Sequence, residues 1–204
     1  MRTISGTEGA RALAPVAITG LANNALIIRL HFSVNHLSRW LTPIHDPLRL
    51  TRAFRRGEPT AKELLLRLRD EELRVFPLMH AISIRTQPDL DRLPEPGRST
   101  AELAWDRTAL PLEIMAQFRR FRQSTCSLLR SLPDSAWERA GTSRRGHDWT
   151  IRSLAEHLAG HDERTLRELD LTLDRAGARE GITLASKAHL DELLKLVPTT
   201  PREA

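Results

Sequence analysis

The chain has 204 residues, a net charge of +5, 40% hydrophobic residues and 28% charged residues. This length suits one domain with an extension or two small domains, and this composition excludes an intrinsically disordered chain. Leu and Ala dominate and Tyr is absent, which favours helices over strands.

The basic residues are nearly all arginine, since lysine occurs only at positions 62, 187 and 195. The arginines are spread along the chain and interleaved with Asp and Glu. A nucleic-acid surface would gather them on one face with aromatic side chains between them, so no nucleic-acid partner is predicted.

Targeting signals and disulfides are also disfavoured. The apolar stretch at 14–28 is interrupted by polar residues and Gly20, which argues against a signal peptide, and no stretch reaches the ~18 apolar residues of a membrane span. Cys126 is the single cysteine, so no disulfide forms within the chain. We expect a cytoplasmic protein without a membrane partner, with Cys126 as a core residue.

The first third of the chain contains one strong helix signal. Residues 1–40 show no sustained periodicity and are predicted to be a poorly ordered N-terminal extension, followed by a short helix at about 45–55. Thr60 and Glu63 form a capping-box pattern that begins an amphipathic helix over 61–84. Pro77 should kink or split that helix.

The rest of the chain alternates helices and loops. A proline-rich loop at 85–99 precedes a short helix at about 100–107, and a long helix over 111–132 begins at Pro111. Its predicted apolar face is Leu112, Met115, Phe118, Phe121, Leu128 and Leu129. A loop at 133–148 leads to a final long helix over 150–176, and a last amphipathic helix over 189–196 precedes the tail.

Four helices joined by two long loops predict an all-α fold, a four-helix bundle. The expected organisation is an extension at 1–40, the bundle at 41–176, and a C-terminal helix and tail at 177–204.

The final long helix carries the strongest candidate site. His157 and His161 lie one helical turn apart, a spacing that can hold a metal ion. On a helical wheel centred on Ile151, Leu158 and Leu169, Thr165 falls in the apolar sector and His161 lies at its edge. His157 lies further out, so it resembles a residue on the rim of the bundle.

The helix at 61–84 places an acid in its apolar stripe, because Glu72 falls among Leu68, Val75 and Met79. A buried carboxylate needs a cation. Either an arginine or a metal shared with His161 would supply it, and the sequence leaves both open.

Three segments resemble the DinB-like (YfiT-like) family of metal-binding bundles. These are the helix entry at 59–72, the segment from Phe118 to Trp137, and Trp149-Thr-Ile-Arg-Ser-Leu-Ala-Glu-His-Leu-Ala-Gly-His-Asp162. The resemblance covers about residues 45–176 and depends on the order and spacing of the three motifs.

This resemblance implies a four-helix bundle, often a homodimer, in which three histidines hold a divalent metal. One histidine comes from the second helix and two come from an i, i+4 pair on the last. Here Arg67 occupies the first position, and the pair falls on His161 and Thr165, or on His157 and His161 after a shift of one turn. Arginine cannot bind a metal, so the expected triad is degenerate.

Two functions therefore stay open. The first is a metal-dependent hydrolase or thiol-dependent transferase acting on small molecules, with Zn²⁺, Ni²⁺ or Fe²⁺ held by His161, His157 and Glu72 (or Glu71). The second is a metal-free bundle, with Arg67 paired to an acid, which binds a small ligand or a partner without catalysis.

Overall fold

A computed structural model describes residues 17–94, 97–143 and 148–202. Eight α-helices occupy the described chain: α1 Asn23–Leu41, α2 Leu48–Thr51, α3 Ala61–Ile84, α4 Thr100–Thr108, α5 Pro111–Ser131, α6 Ile151–Arg175, α7 Leu184–Lys187 and α8 Leu190–Leu194. Two short strands, β1 Ala140–Gly141 and β2 Trp149–Thr150, pair antiparallel. The predicted all-α four-helix bundle is confirmed, with this small hairpin added before α6.

The helix starts follow from capping side chains. The Thr60 hydroxyl accepts the backbone N–H of Glu63 at 3.2 Å, and the Glu63 carboxylate accepts that of Thr60 at 2.7 Å. Thr150 caps α6 in the same way through the backbone N–H of Ser153 at 2.9 Å. Helix α3 continues unbroken through Pro77 to Ile84, so the predicted split at that proline is wrong.

The prediction of a poorly ordered N-terminal extension over residues 1–40 is wrong for residues 23–40. Residues 23–41 form α1, a bundle helix that packs against α5 and α6, and the predicted helix at 45–55 shrinks to the four residues of α2. Leu26, Leu30, Val34, Leu37 and Leu41 are buried at helical spacing along α1. Polar residues between them hide the period in the sequence. The first 16 residues lie outside the described part of the chain.

The bundle consists of α1, α3, α5 and α6, in which each of α1 and α3 packs against both α5 and α6. Its interior contains two apolar clusters, one around Leu37, Leu68, Phe118 and Leu169, the other around Leu30, Val75, Cys126 and Leu158. A layer of four buried polar side chains separates them, one from each bundle helix: Ser33, Glu72, Arg122 and Asp162. We call this set the central polar layer.

The C-terminal segment is part of the same packing rather than a separate tail. Ala178, Leu190 and Leu193 belong to the first apolar cluster, and the backbone N–H of Ala22 donates to Thr200 at 2.9 Å. The last predicted helix is shorter than expected, at Leu190–Leu194. None of the helices in the described residues is long and apolar enough to cross a membrane.

Candidate functional site on the flank of α3 and α6

Helices α3 and α6 lie against each other and place five polar side chains on one flank of the bundle. Arg67, Glu71 and Arg74 come from α3, and His157 and His161 come from α6. His157 Nε2 and Arg74 Nη2 both contact Glu71 Oε1, and the same two nitrogens lie 3.0 Å apart. We call these five residues the flank cluster.

The flank cluster borders a cavity of about 400 Å³, which Arg67, Glu71, Arg74 and His161 help to line. His161 Nδ1 is buried and has no hydrogen-bond partner among the described residues. Because α6 carries His157 beside the ring of Trp149, with centroids 5.7 Å apart, the first imidazole is fixed between an indole and a carboxylate. The imidazole of His161 lines the cavity, and its Nδ1 makes no hydrogen bond to the described residues.

The electrostatics of this flank favour a charged Glu71 and a neutral His161. Burial raises the pKa of Glu71, but the hydrogen bonds from His157 and Arg74 outweigh it and bring that pKa to about 2. Burial lowers the pKa of His161, and the nearby charges of Glu71 and Asp162 only partly oppose this. At neutral pH the cavity is therefore bordered by a carboxylate and an uncharged imidazole.

Glu72 lies elsewhere, in the central polar layer. Its Oε1 accepts from Arg122 Nε, and its Oε2 accepts from the Thr125 hydroxyl at 2.7 Å. Arg122 also donates to Asp162 Oδ1 at 3.0 Å and to the carbonyl of Leu30 at 2.9 Å. Of the two partners that the sequence left open for Glu72, the structure has the arginine, and the hypothesis of a metal shared with His161 is corrected accordingly.

Arg122 and Asp162 were missed in the sequence, although both carry a usable signal. Arg122 lies four residues after Phe118 and four before Cys126, which places it inside the apolar stripe of α5. Asp162 lies four residues after Leu158, inside the apolar sector of α6. Two charged residues of opposite sign on core faces predict each other as partners.

Arg67 and Thr165, the positions that the family resemblance grouped with His161 as a metal triad, lie in different surroundings from that histidine. Arg67 donates to Glu168 of α6 at 2.6 Å, with both side chains about half exposed. Thr165 is buried, as the wheel predicted.

Cys126 is also buried and burial raises the pKa of its thiol to about 11, which suits a core residue and not a nucleophile.

The residues present do not fit a divalent metal at the flank. The nitrogen of His157 that would bind a metal contacts Glu71 and lies 3.0 Å from a guanidinium nitrogen of Arg74. At an effective dielectric of 20, two unit charges 4 Å apart interact by about 4 kcal/mol, so a dication here would be repelled by Arg74 and would have to displace it from Glu71.

A different group of three has suitable metal-ligating atoms. Among the described residues, Asp170, Asp174 and His189 bring one ligand atom each within 4.8 Å of one another. Arg179 Nη1 already lies 2.6 Å from Asp170 Oδ1 and 2.9 Å from Asp174 Oδ1. The sequence did not predict this group, which is a possible metal triad whose two carboxylates share one arginine, Arg179.

Comparison with known families agrees with this architecture. The family model of the DinB superfamily matches residues 37–169, which is more than half of the chain. The chain belongs to the DinB superfamily. The match begins near the end of α1 and ends within α6, so it includes all of α3 and α5 and the parts of α3 and α6 that carry the flank cluster.

A solved structure shares the fold of this DinB superfamily member. It is YfiT from Bacillus subtilis, described as a probable metal-dependent hydrolase with an unusual four-helix bundle topology. The superposition gives a TM-score of 0.57 at 17% sequence identity, and covers 79% of this chain and 89% of YfiT. No curated protein matches the chain significantly.

Proposed function

We infer that this DinB superfamily member works without a metal at the flank cluster and binds a small molecule without catalysing its turnover. The observation that supports this function is the pairing of the flank with the protein's own cations. Arg74 and His157 contact Glu71, and Arg67 pairs with Glu168. The carboxylate that a metal would need is already bound by a guanidinium and an imidazole.

The central polar layer supports the same conclusion. Glu72 is fully buried, and both of its oxygens accept hydrogen bonds from α5. Drawing it out to a metal beside His161 would leave Arg122 short of one partner in the core, which is costly. The Glu72 carboxylate is therefore also unavailable to a metal at the flank.

A metal-dependent hydrolase or thiol-dependent transferase of small molecules is the second candidate. It is favoured by one observation: Glu71, His157 and His161 share a flank, and Glu71 is ionised while His161 is neutral, the protonation states that bind Zn²⁺, Ni²⁺ or Fe²⁺. This candidate requires Arg74 to leave Glu71.

Metal analysis separates the two. The full chain is purified without chelator, its metal content is measured by mass spectrometry, and thermal unfolding is followed with and without EDTA. We expect far less than one equivalent of metal per chain and an unfolding temperature that EDTA does not change.

The double variant His157→Ala/His161→Ala is the informative partner, and His45→Ala, at an exposed histidine, is its control. About one equivalent of metal that is lost in the double variant and retained in the control would establish the second candidate and overturn the first. If the metal is instead lost in a His189→Ala variant, the Asp170, Asp174 and His189 group is its site.

Location and assembly belong to the same proposal. We expect a cytoplasmic protein that forms a homodimer and has no nucleic-acid partner. Light scattering coupled to size exclusion gives the mass of the particle, and a mass equal to one chain contradicts the dimer.

A further inference from the structure

A second cavity, of about 1050 Å³, adjoins the first along α3. Helices α4 and α5, the segment after α3, and β2 complete its walls. Its volume is at the upper end of the range of about 300–1000 Å³ found for small-molecule sites. Asp70 and Arg74 line both cavities, and Trp149 of this lining lies beside His157 of the flank cluster.

Aromatic residues are concentrated in this cavity. The chain has four Trp and five Phe, nine such rings in all, and three of them line the cavity: Trp105, Phe121 and Trp149. The two tryptophans are the ones that keep partial exposure, because Trp40 and Trp137 are buried in the core. Leu73, Pro77 and Leu78 of α3 add an aliphatic wall. Such walls favour a flat aromatic occupant.

The charged side chains of the lining are already paired. Arg69 is 2% exposed and donates to Asp106 at 2.6 and 2.8 Å and to Asp70 at 2.6 and 2.9 Å. Arg98 also contacts Asp106 and lies 3.4 Å from Asp70. The hydrogen bond from Arg69 holds the pKa of Asp106 below its usual value. The two arginines and two aspartates of this network balance in formal charge.

The remaining charges of the lining have partners as well. Glu102 accepts the backbone N–H of Ser99 at 2.8 Å as a helix cap, Arg74 pairs with Glu71, and Asp91 accepts from Ser143 at 3.0 Å. Three arginines against four carboxylates give the lining a net charge of −1, by +3 − 4. An anion would meet the wrong sign, and a cation would find each of the four carboxylates already accepting a hydrogen bond.

Gln117 supplies a neutral donor. Its Oε1 accepts from Arg69 Nη1 at 3.2 Å, which fixes the amide orientation. The amide nitrogen has no acceptor among the described residues, and Gln117 lines the cavity. Two N–H groups are therefore available to an acceptor such as a carbonyl oxygen.

We propose that this cavity binds an uncharged, flat aromatic molecule that carries a carbonyl group, with the ring system among Trp105, Phe121 and Trp149 and the carbonyl on Gln117. This assignment rests on the proposed function, because it names the site and the chemical class of the small molecule.

The test uses two dyes and the full chain. Nile red is uncharged, fused aromatic and carries a carbonyl, whereas anilinonaphthalene sulfonate is aromatic and anionic. We expect saturable Nile red binding at a single site, measured by dye fluorescence and by quenching of tryptophan emission. The anionic dye should bind at least about tenfold more weakly.

Variants locate the site. Phe121→Ala and Gln117→Leu should each weaken Nile red binding about tenfold, through loss of a stacking ring and of a hydrogen bond to the carbonyl. Phe54→Ala, at a half-exposed ring, and Gln123→Leu, at an exposed amide on the same helix, are the matched controls and should bind as the wild type. Circular dichroism confirms that each variant is folded.

The proposal is overturned if the anionic dye binds as tightly as Nile red, if Phe121→Ala and Gln117→Leu bind like their controls, or if Nile red shows no saturable binding. These outcomes are independent of the metal measurement. A metal-free protein that fails to bind the dye loses only this cavity assignment, whereas about one equivalent of metal that is lost in His157→Ala/His161→Ala overturns the proposed function whatever the dye does.

Discussion

Glu71 and Glu72 are neighbours in α3, but their side chains lie in different surroundings. Consecutive positions on a helix point about 100° apart, so Glu72 enters the central polar layer while Glu71 faces the flank. Glu72 is fully buried and bound by Arg122 and Thr125. Glu71 keeps 15% of its side chain exposed and is bound by His157 and Arg74.

The central polar layer and the flank cluster differ in whether solvent can replace the partner of a charged side chain. In the central polar layer, burial lowers the pKa of Arg122, but the charges of Asp162 and Glu72 outweigh this and raise it, so the arginine stays charged. No water can substitute for a lost partner there. On the flank, solvent reaches Arg74, whose side chain is 49% exposed, and can replace a broken contact. Loss of an ion pair should therefore lower the free energy of unfolding far more in the central polar layer than on the flank.

The largest expected effect is the loss of Arg122. Arg122→Met leaves Glu72 and Asp162 buried without their cation, and should lower the free energy of unfolding by about 3–5 kcal/mol. Urea denaturation followed by circular dichroism measures it. Arg120→Met, at an exposed arginine on the same helix, should change stability by less than about 0.5 kcal/mol. Equal effects in the two variants would show that the layer is not a buried charge network.

A second prediction compares the two glutamates directly. Glu72→Gln replaces a buried charged acceptor and should cost about 2–3 kcal/mol of unfolding free energy. Glu71→Gln on the partly solvated flank should cost less than Glu72→Gln, because solvent can replace part of the contacts that are lost. The same denaturation experiment gives both values, and each variant serves as the other's matched control. A larger cost at Glu71 would reverse the comparison.

The third prediction concerns pH. The pKa of Glu71 falls from 4.5 to about 2 in the folded chain, so the unfolded state binds the proton first. Its contribution to stability is fully present above pH 4.5 and is lost as the pH falls through about 2. The stability difference between wild type and Glu71→Gln should therefore shrink between pH 5 and pH 2. Denaturation at several pH values measures it, and a constant difference contradicts the assignment.

Much of this fold could be predicted from the sequence because its signals are local. The capping box at Thr60 and Glu63 and the cap at Thr150 require residues only three positions apart, and both helices begin where predicted. Helix α1 was missed because its buried leucines alternate with polar residues and no side chain caps its start. Its helical state depends on packing against α5 and α6, which no local window contains.

The candidate site was predicted less completely for the same reason. His157 and His161 were placed on the flank of α6 from their spacing, but their surroundings depend on α3. Arg74 was not considered because an exposed helical arginine carries no signal until its partner is known. Glu72 was correctly placed in the apolar stripe, and the choice between arginine and metal required the position of Arg122, 50 residues away.

The smallest expected effect is the titration of His161. Burial holds its pKa below 6.5 even though Glu71 and Asp162 oppose the shift, and its buried Nδ1 has no partner in the described part of the chain to stabilise the imidazolium. Proton-detected NMR of the imidazole Cε1–H should show a midpoint below 6.5. In Glu71→Gln the midpoint should fall further, because a favourable charge is removed, while Glu72→Gln should leave it closer to the wild-type value. A midpoint that rises in Glu71→Gln would mean that His161 does not share the flank with that carboxylate.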